Sequence, residues 1–110
     1  MSVYATSGVK QYLNDLVTIL YEKGYFSFEE YAHDYVDELL DDILANLPKR
    51  QHKRAPERFV RYGEDLHYAS FVKNKRTTWY AFFTKYQDEN GDTIYLIRYI
   101  GNNHIVAQHL

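Results

Sequence analysis

The chain has no cysteine among its 110 residues, which removes Cys-ligated zinc, iron–sulfur clusters and thiol catalysis and fits a reducing compartment. No stretch approaches the ~20 consecutive apolar residues of a membrane span. The opening MSVYATSGVKQYLNDL also lacks a basic stretch followed by an unbroken apolar run, so a cytoplasmic protein with no membrane contact is expected. A Gly-rich phosphate loop, a GxSxG elbow and paired carboxylates on strand-like segments are missing too. The five histidines, His33, His52, His67, His104 and His109, form no HExxH or other close ligand spacing, and neither a metal nor another cofactor is expected.

What is present fits one soluble domain over residues 1–110: 45% of the chain is hydrophobic, 25% charged and 17% aromatic. A domain of this length buries over ~60% of its extended surface and folds without staples. Its net charge of −2 hides a segregation. Residues 1–48 carry two bases and nine acids, residues 49–76 nine bases and three acids, and residues 77–110 two bases and three acids. A divided field of this kind recruits a polyanion on one side or an oppositely charged protein on the other.

Val9, Tyr12, Leu13, Leu16, Val17 and Leu20 recur at helical spacing over residues 9–22, with Thr6 or Ser7 as cap and Gly24 as stop. A second helix is predicted from a capping box of Ser27 and Glu30, with Phe26 stapled onto Tyr31. Its apolar stripe runs from Phe28 through Tyr31, Tyr35, Leu39, Ile43 and Leu44 to Leu47, where Pro48 ends it. Aromatic and β-branched runs then predict strands near Arg58 to Tyr62, Leu66 to Val72, Thr77 to Tyr86 and Thr93 to Ile100, with Asn90-Gly91 as a turn. Val3 to Ala5 fits a short first strand, and Lys49 to Pro56 reads as the one linker-like stretch. Trp79, Ala81 and Phe83 alternate with Tyr80, Phe82 and Thr84, so their strand is expected at the centre of the sheet with both faces covered. The fold class is α+β, a helical hairpin packed on a small, mainly antiparallel sheet.

This order resembles the RelE/ParE superfamily of bacterial toxins from type II toxin–antitoxin modules. The resemblance rests on Tyr4-Ala5-Thr6-Ser7, the helix ending at Leu47-Pro48, Trp79-Tyr80-Ala81-Phe82-Phe83, and Ile94-Tyr95-Leu96-Ile97-Arg98-Tyr99-Ile100-Gly101. It implies a toxin neutralised by a cognate antitoxin that wraps the sheet and helices, with DNA gyrase or the ribosome and mRNA as target. Self-association into a homodimer stays open. The RNA-cleaving branch places Lys and Arg on its middle strands, and an Arg or a His followed by Tyr near the C-terminus. Here those strands read His67-Tyr68-Ala69-Ser70-Phe71 and Trp79-Tyr80-Ala81-Phe82, and Asn102-Asn103-His104 follows Gly101. The sequence pI of 6.2 is also low for a ribosome-directed RNase, and both departures favour the gyrase-directed or an uncharacterised branch. An mRNA endonuclease and a non-toxic interaction domain with the same fold are the alternatives.

Two sets of residues are candidates for chemistry. Lys49, Arg50, Lys53 and Arg54, continued by Arg58 and Arg61 and joined by Lys75 and Arg76 of a strand turn, would bind phosphates or an acidic protein if they share a face. Otherwise they form a solvated connector. His104 is suited to proton transfer, Arg98 to steadying a phosphorane-like charge and Tyr80 to assisting them. Arg98 and His104 share a sheet face only if alternation survives the intervening turn, and a surface His with a paired Arg is the plainer alternative. Twelve tyrosines offer base stacking or, more plainly, core packing with hydroxyls at the rim.

Overall fold

The computed structural model describes residues 2–103. A strand, β1 (Ser2–Ala5), leads into two helices, α1 (Ser7–Glu22) and α2 (Glu29–Asn46), and then a 3₁₀ turn at Leu47–Lys49. The two-residue strand β2 (Lys53–Arg54) and a 3₁₀ helix (Glu57–Tyr62) precede β3 (His67–Asn74), β4 (Thr77–Gln87) and β5 (Thr93–Asn102). The strands form one sheet in the order β1-β5-β4-β3-β2. β1 runs parallel to β5, and every other pairing is antiparallel. The molecule is thus α+β, a helical hairpin on a mainly antiparallel sheet, with β4 central as its alternation predicts. No helix among the described residues is long and apolar enough to cross a membrane.

Helix α1 forms where its apolar period predicts. The Thr6 hydroxyl accepts the Val9 amide at 3.2 Å, satisfying one of the orphan donors of the first turn. At the other end Gly24 takes φ +79°. The Gly24 amide donates to the Tyr21 carbonyl and the Tyr25 amide to that of Leu20, the paired bonds of a Schellman cap.

Helix α2 starts one residue later than expected. Phe28 stands at its N-cap without a side-chain bond, so the Ser27–Glu30 capping box does not form. Phe26 packs on Tyr35 at 5.5 Å instead of on Tyr31, and this draws the loop toward the sheet and leaves Phe28 and Tyr31 on the outside. The inner stripe is therefore Ala32, Val36, Leu39, Ile43 and Leu47, all buried. It meets Phe71, Trp79, Ala81, Phe83, Ile97 and Ile100 in the main core, where the Trp79 indole donates to the Tyr35 hydroxyl at 3.0 Å.

The stretch Lys49 to Pro56 is not a linker. The His52 ring contacts Phe83 at 4.7 Å and its Nε2 lies 2.8 Å from the Leu47 carbonyl oxygen. Lys53 and Arg54 pair with Tyr68 and His67. Arg58 to Tyr62, expected as a strand, is part of the 3₁₀ helix instead, because Phe59 and Tyr62, three residues apart, turn inward together.

The sheet consequently has two unequal faces. The inner face is covered by α1 and α2. On the outer face Phe59 stacks on Phe82 at 4.7 Å, and Tyr62 lies parallel to Tyr99 at 4.2 Å, so the 3₁₀ helix covers one end. A bulge supplies the side chains for both layers: Phe82 pairs with Tyr99 but Phe83 pairs with Ile97, leaving Arg98 as the extra residue. Ile97 and Ile100 both reach the inner core although they are three apart.

Candidate functional site

Among the described residues, none covers the other end of the outer face. Directly opposed residues form the row Lys53-Tyr68-Phe82-Tyr99 and, further along, Ser70-Tyr80-Gly101 and Val72-Thr78. The 3₁₀ helix packs on Phe82 and Tyr99 of the first row, and the cluster it forms reaches as far as Tyr80. Val72 is 67% exposed, Ser70 is exposed, and Tyr68 and Tyr80 are half-buried with rings 6.0 Å apart. Because β2 pairs only with His67 and Tyr68, no described strand adjoins the outer backbone edge of β3 from residue 69 to 74. Unpaired edges of this length accept a strand from another chain.

Cations flank this edge. Arg50, Gln51, Lys53, Tyr68 and Ser70 line a cleft of about 230 Å³. The Arg50 guanidinium lies 5.0 Å from the Phe71 ring and forms a partly exposed ion pair with the Asp42 carboxylate at 3.8 Å, which holds it at the rim. Two cations, an amide and two hydroxyls suit an anionic group. Lys73, on the inner face, lies over the Tyr35 ring at 5.1 Å and 4.0 Å from Glu38.

The other predicted cations are dispersed. Strand alternation turns Arg54 from Lys53, toward Asp65 at 3.5 Å and into a second cleft of about 280 Å³ with Pro56, Glu57, Val60 and Leu66. Lys49 is exposed at the end of its 3₁₀ turn. Arg58 and Arg61 belong to the 3₁₀ helix, with Arg61 over the Tyr62 ring at 4.9 Å. Lys75 and Arg76 form the exposed β3–β4 turn. Of the basic run, Arg50 and Lys53 are thus the pair brought to one cleft.

Of the predicted catalytic set, the two described members, Arg98 and Tyr80, are not brought together. Arg98 occupies the bulge, where its Nε donates to the Thr84 hydroxyl at 3.0 Å. A Cβ on Gly63, at φ +151°, would fall 2.8 Å from the Arg98 Cδ, so the glycine admits this packing. Tyr80 pairs with Gly101, three residues along β5, which places it about 10 Å from Arg98 by strand rise alone. His104 lies outside the described residues. Its neighbour Asn103 continues the β-ladder with its side chain: Oδ1 accepts the Thr78 amide at 3.1 Å and Nδ2 donates to the Arg76 carbonyl at 3.0 Å. That clamp sits at the opposite end of β5 from Thr84. The alternation that would align Arg98 with the strand end is broken by the bulge. Sequence reasoning missed the clamp, whose trace is an Asn at a strand terminus.

Beneath the covered end lies a tyrosine cluster. Burial pushes the Tyr12 phenol up to about 12, with Tyr99 adding to the rise. The Tyr99 phenol is likewise raised, first by burial, then by Tyr62, with Arg61 opposing. A phenol that keeps its proton longer in the fold than in the open chain stabilises the fold below pH 10, and loses that contribution between pH 10 and 12. Denaturant midpoints of wild type should therefore fall more steeply from pH 9 to 11 than those of Tyr12→Phe. Equal slopes would show that Tyr12 is not held neutral.

No protein-family model, curated protein or solved structure matches the chain.

Proposed function

We propose that this protein is the toxin-like component of a type II toxin–antitoxin module, working in the cytoplasm, neutralised by a cognate antitoxin and directed at DNA gyrase rather than at RNA. The observation that carries the reading is the half of the outer sheet face, with the adjoining β3 edge, that no described residue covers. A partner chain adding a strand there gains backbone hydrogen bonds along the edge, side-chain contacts on Val72 and Tyr80, and charge pairing with Arg50 and Lys53. The helix-hairpin-on-sheet order agrees with the RelE/ParE resemblance, and fold likeness alone does not give activity. The separation of Arg98 from Tyr80 supports the gyrase-directed branch over RNA cleavage, which needs its catalytic groups gathered at one phosphate.

Expression of the chain alone should arrest growth, and the product of a small adjacent gene should relieve the arrest and copurify with it. His104→Ala should leave the arrest and the inhibition of gyrase supercoiling intact, because loss of a general base costs ~10²–10⁴ in rate only where that base is used. Purified protein that cuts mRNA and loses the activity in His104→Ala and Arg98→Ala would make the endonuclease the correct reading. Absence of both arrest and a copurifying partner would leave a non-toxic interaction domain.

A further inference from the structure

The end of the helical hairpin carries aromatic rings that the fold does not use. Tyr21 is 41% exposed, Tyr25 70%, Phe28 58% and Tyr31 51%. Internal packing at this end is done by Phe26 and Tyr35 instead, while Phe28 and Tyr31 meet edge to face at 5.6 Å in solvent. Four such rings within eleven residues form the kind of exposed apolar patch that marks an interaction surface.

The charge around them says what kind. Glu22, Glu29, Glu30 and Asp34 are exposed at the same end, and among the described residues none of the four meets a cation. From residue 21 to 48 Lys23 is the one Lys or Arg. Such a field repels nucleic acid and anionic lipid and draws cations. Aromatic faces beside free carboxylates suit a guanidinium in particular, which stacks on the ring while its N–H groups reach the carboxylate.

We infer that the hairpin tip, Tyr21, Tyr25, Phe28 and Tyr31 with Glu29 and Asp34, is a docking surface for a cationic, arginine-containing segment of a partner protein. It is independent of the anion-seeking cleft at Arg50 and Lys53. The 18 residues of α2 separate the two by about 27 Å, so both can be occupied at once by partners of opposite charge.

Fluorescence anisotropy with a labelled ten-residue peptide of alternating Arg and Gly, titrated with the full chain, tests this. Saturable binding that weakens with salt is expected. Tyr25→Ser/Phe28→Ser/Tyr31→Ser and Glu29→Gln/Glu30→Gln/Asp34→Asn should each lower affinity at least about tenfold, and a Lys-Gly peptide should bind more weakly than the Arg-Gly one. Lys49→Ser/Arg50→Ser should not weaken it. Should the triple aromatic variant fail to fold by circular dichroism, Tyr25→Ser, at the most exposed of the four positions, gives the same comparison. No saturable binding to wild type, unchanged affinity in the aromatic variants, or equal binding of the two peptides would overturn the inference.

Discussion

Ile43→Ala and Leu39→Ala should each cost about 2–5 kcal/mol, read as a shift of the denaturant midpoint at constant slope. Both side chains are fully buried in the core between α2 and the sheet, which β4 enters with Trp79 and Phe83. Truncation therefore leaves a cavity that the sheet, pinned by cross-strand pairs, cannot collapse into. A domain of this size has a total stability of about 5–15 kcal/mol, so the double variant should lose a large share of it. Tyr31→Ala, on the same helix but 51% exposed, is the control and should change stability by under about 0.5 kcal/mol. A loss below 1 kcal/mol for Ile43→Ala would show that α2 does not seal the sheet.

The second large effect is on binding. Changing Lys49, Arg50, Lys53 and Arg54 together to Ser should leave the fold intact, since the Arg50–Asp42 and Arg54–Asp65 pairs are partly or wholly solvent-exposed and such pairs contribute about 0–1 kcal/mol. Affinity for an anionic partner, with single-stranded RNA as the probe, should fall, and its dependence on salt should become shallower. Each lost phosphate contact removes about 0.7 from the log–log salt slope. Because the cleft holds Arg50 and Lys53 but not Arg54, Arg50→Ser/Lys53→Ser should reproduce most of the change, and Lys49→Ser/Arg54→Ser little of it. Unchanged affinity in the fourfold variant would assign the whole segment to a solvated surface.

The helices and the three long strands are legible in the sequence because each buries a regular stripe. The departures come where tertiary packing overrides a local signal. Ser27 and Glu30 have the spacing of a capping box, but Phe26 packs on Tyr35 and the helix starts one residue later, with Phe28 at its N-cap. Arg58 to Tyr62 has the composition of a strand. Its inward residues are spaced by three rather than two, and this distinguishes a 3₁₀ turn only once Phe82 and Tyr99 are known to lie beneath it. The linker-like reading of Lys49 to Pro56 overlooked that a single His52 can anchor a polar segment to the core.

For the candidate site, the basic run was visible, but its division between two clefts was not, because that depends on the two-residue strand β2. The bulge at Arg98 has no local sequence mark. It is visible only as Ile97 and Ile100 both facing inward.

The parallel pairing of β1 with β5 sets an order of events during synthesis. Ser2 is registered against Ile94, so the sheet cannot close until 92 further residues have been made, roughly 5–20 s at ordinary rates of translation. The helical hairpin is finished long before, with Val9, Leu13, Val36 and Leu39 and no sheet to lie on. Contacts this remote in sequence slow folding and lengthen the exposure of apolar surface. The nascent chain is therefore open to capture, by a chaperone or by a partner already present, until β5 has been made.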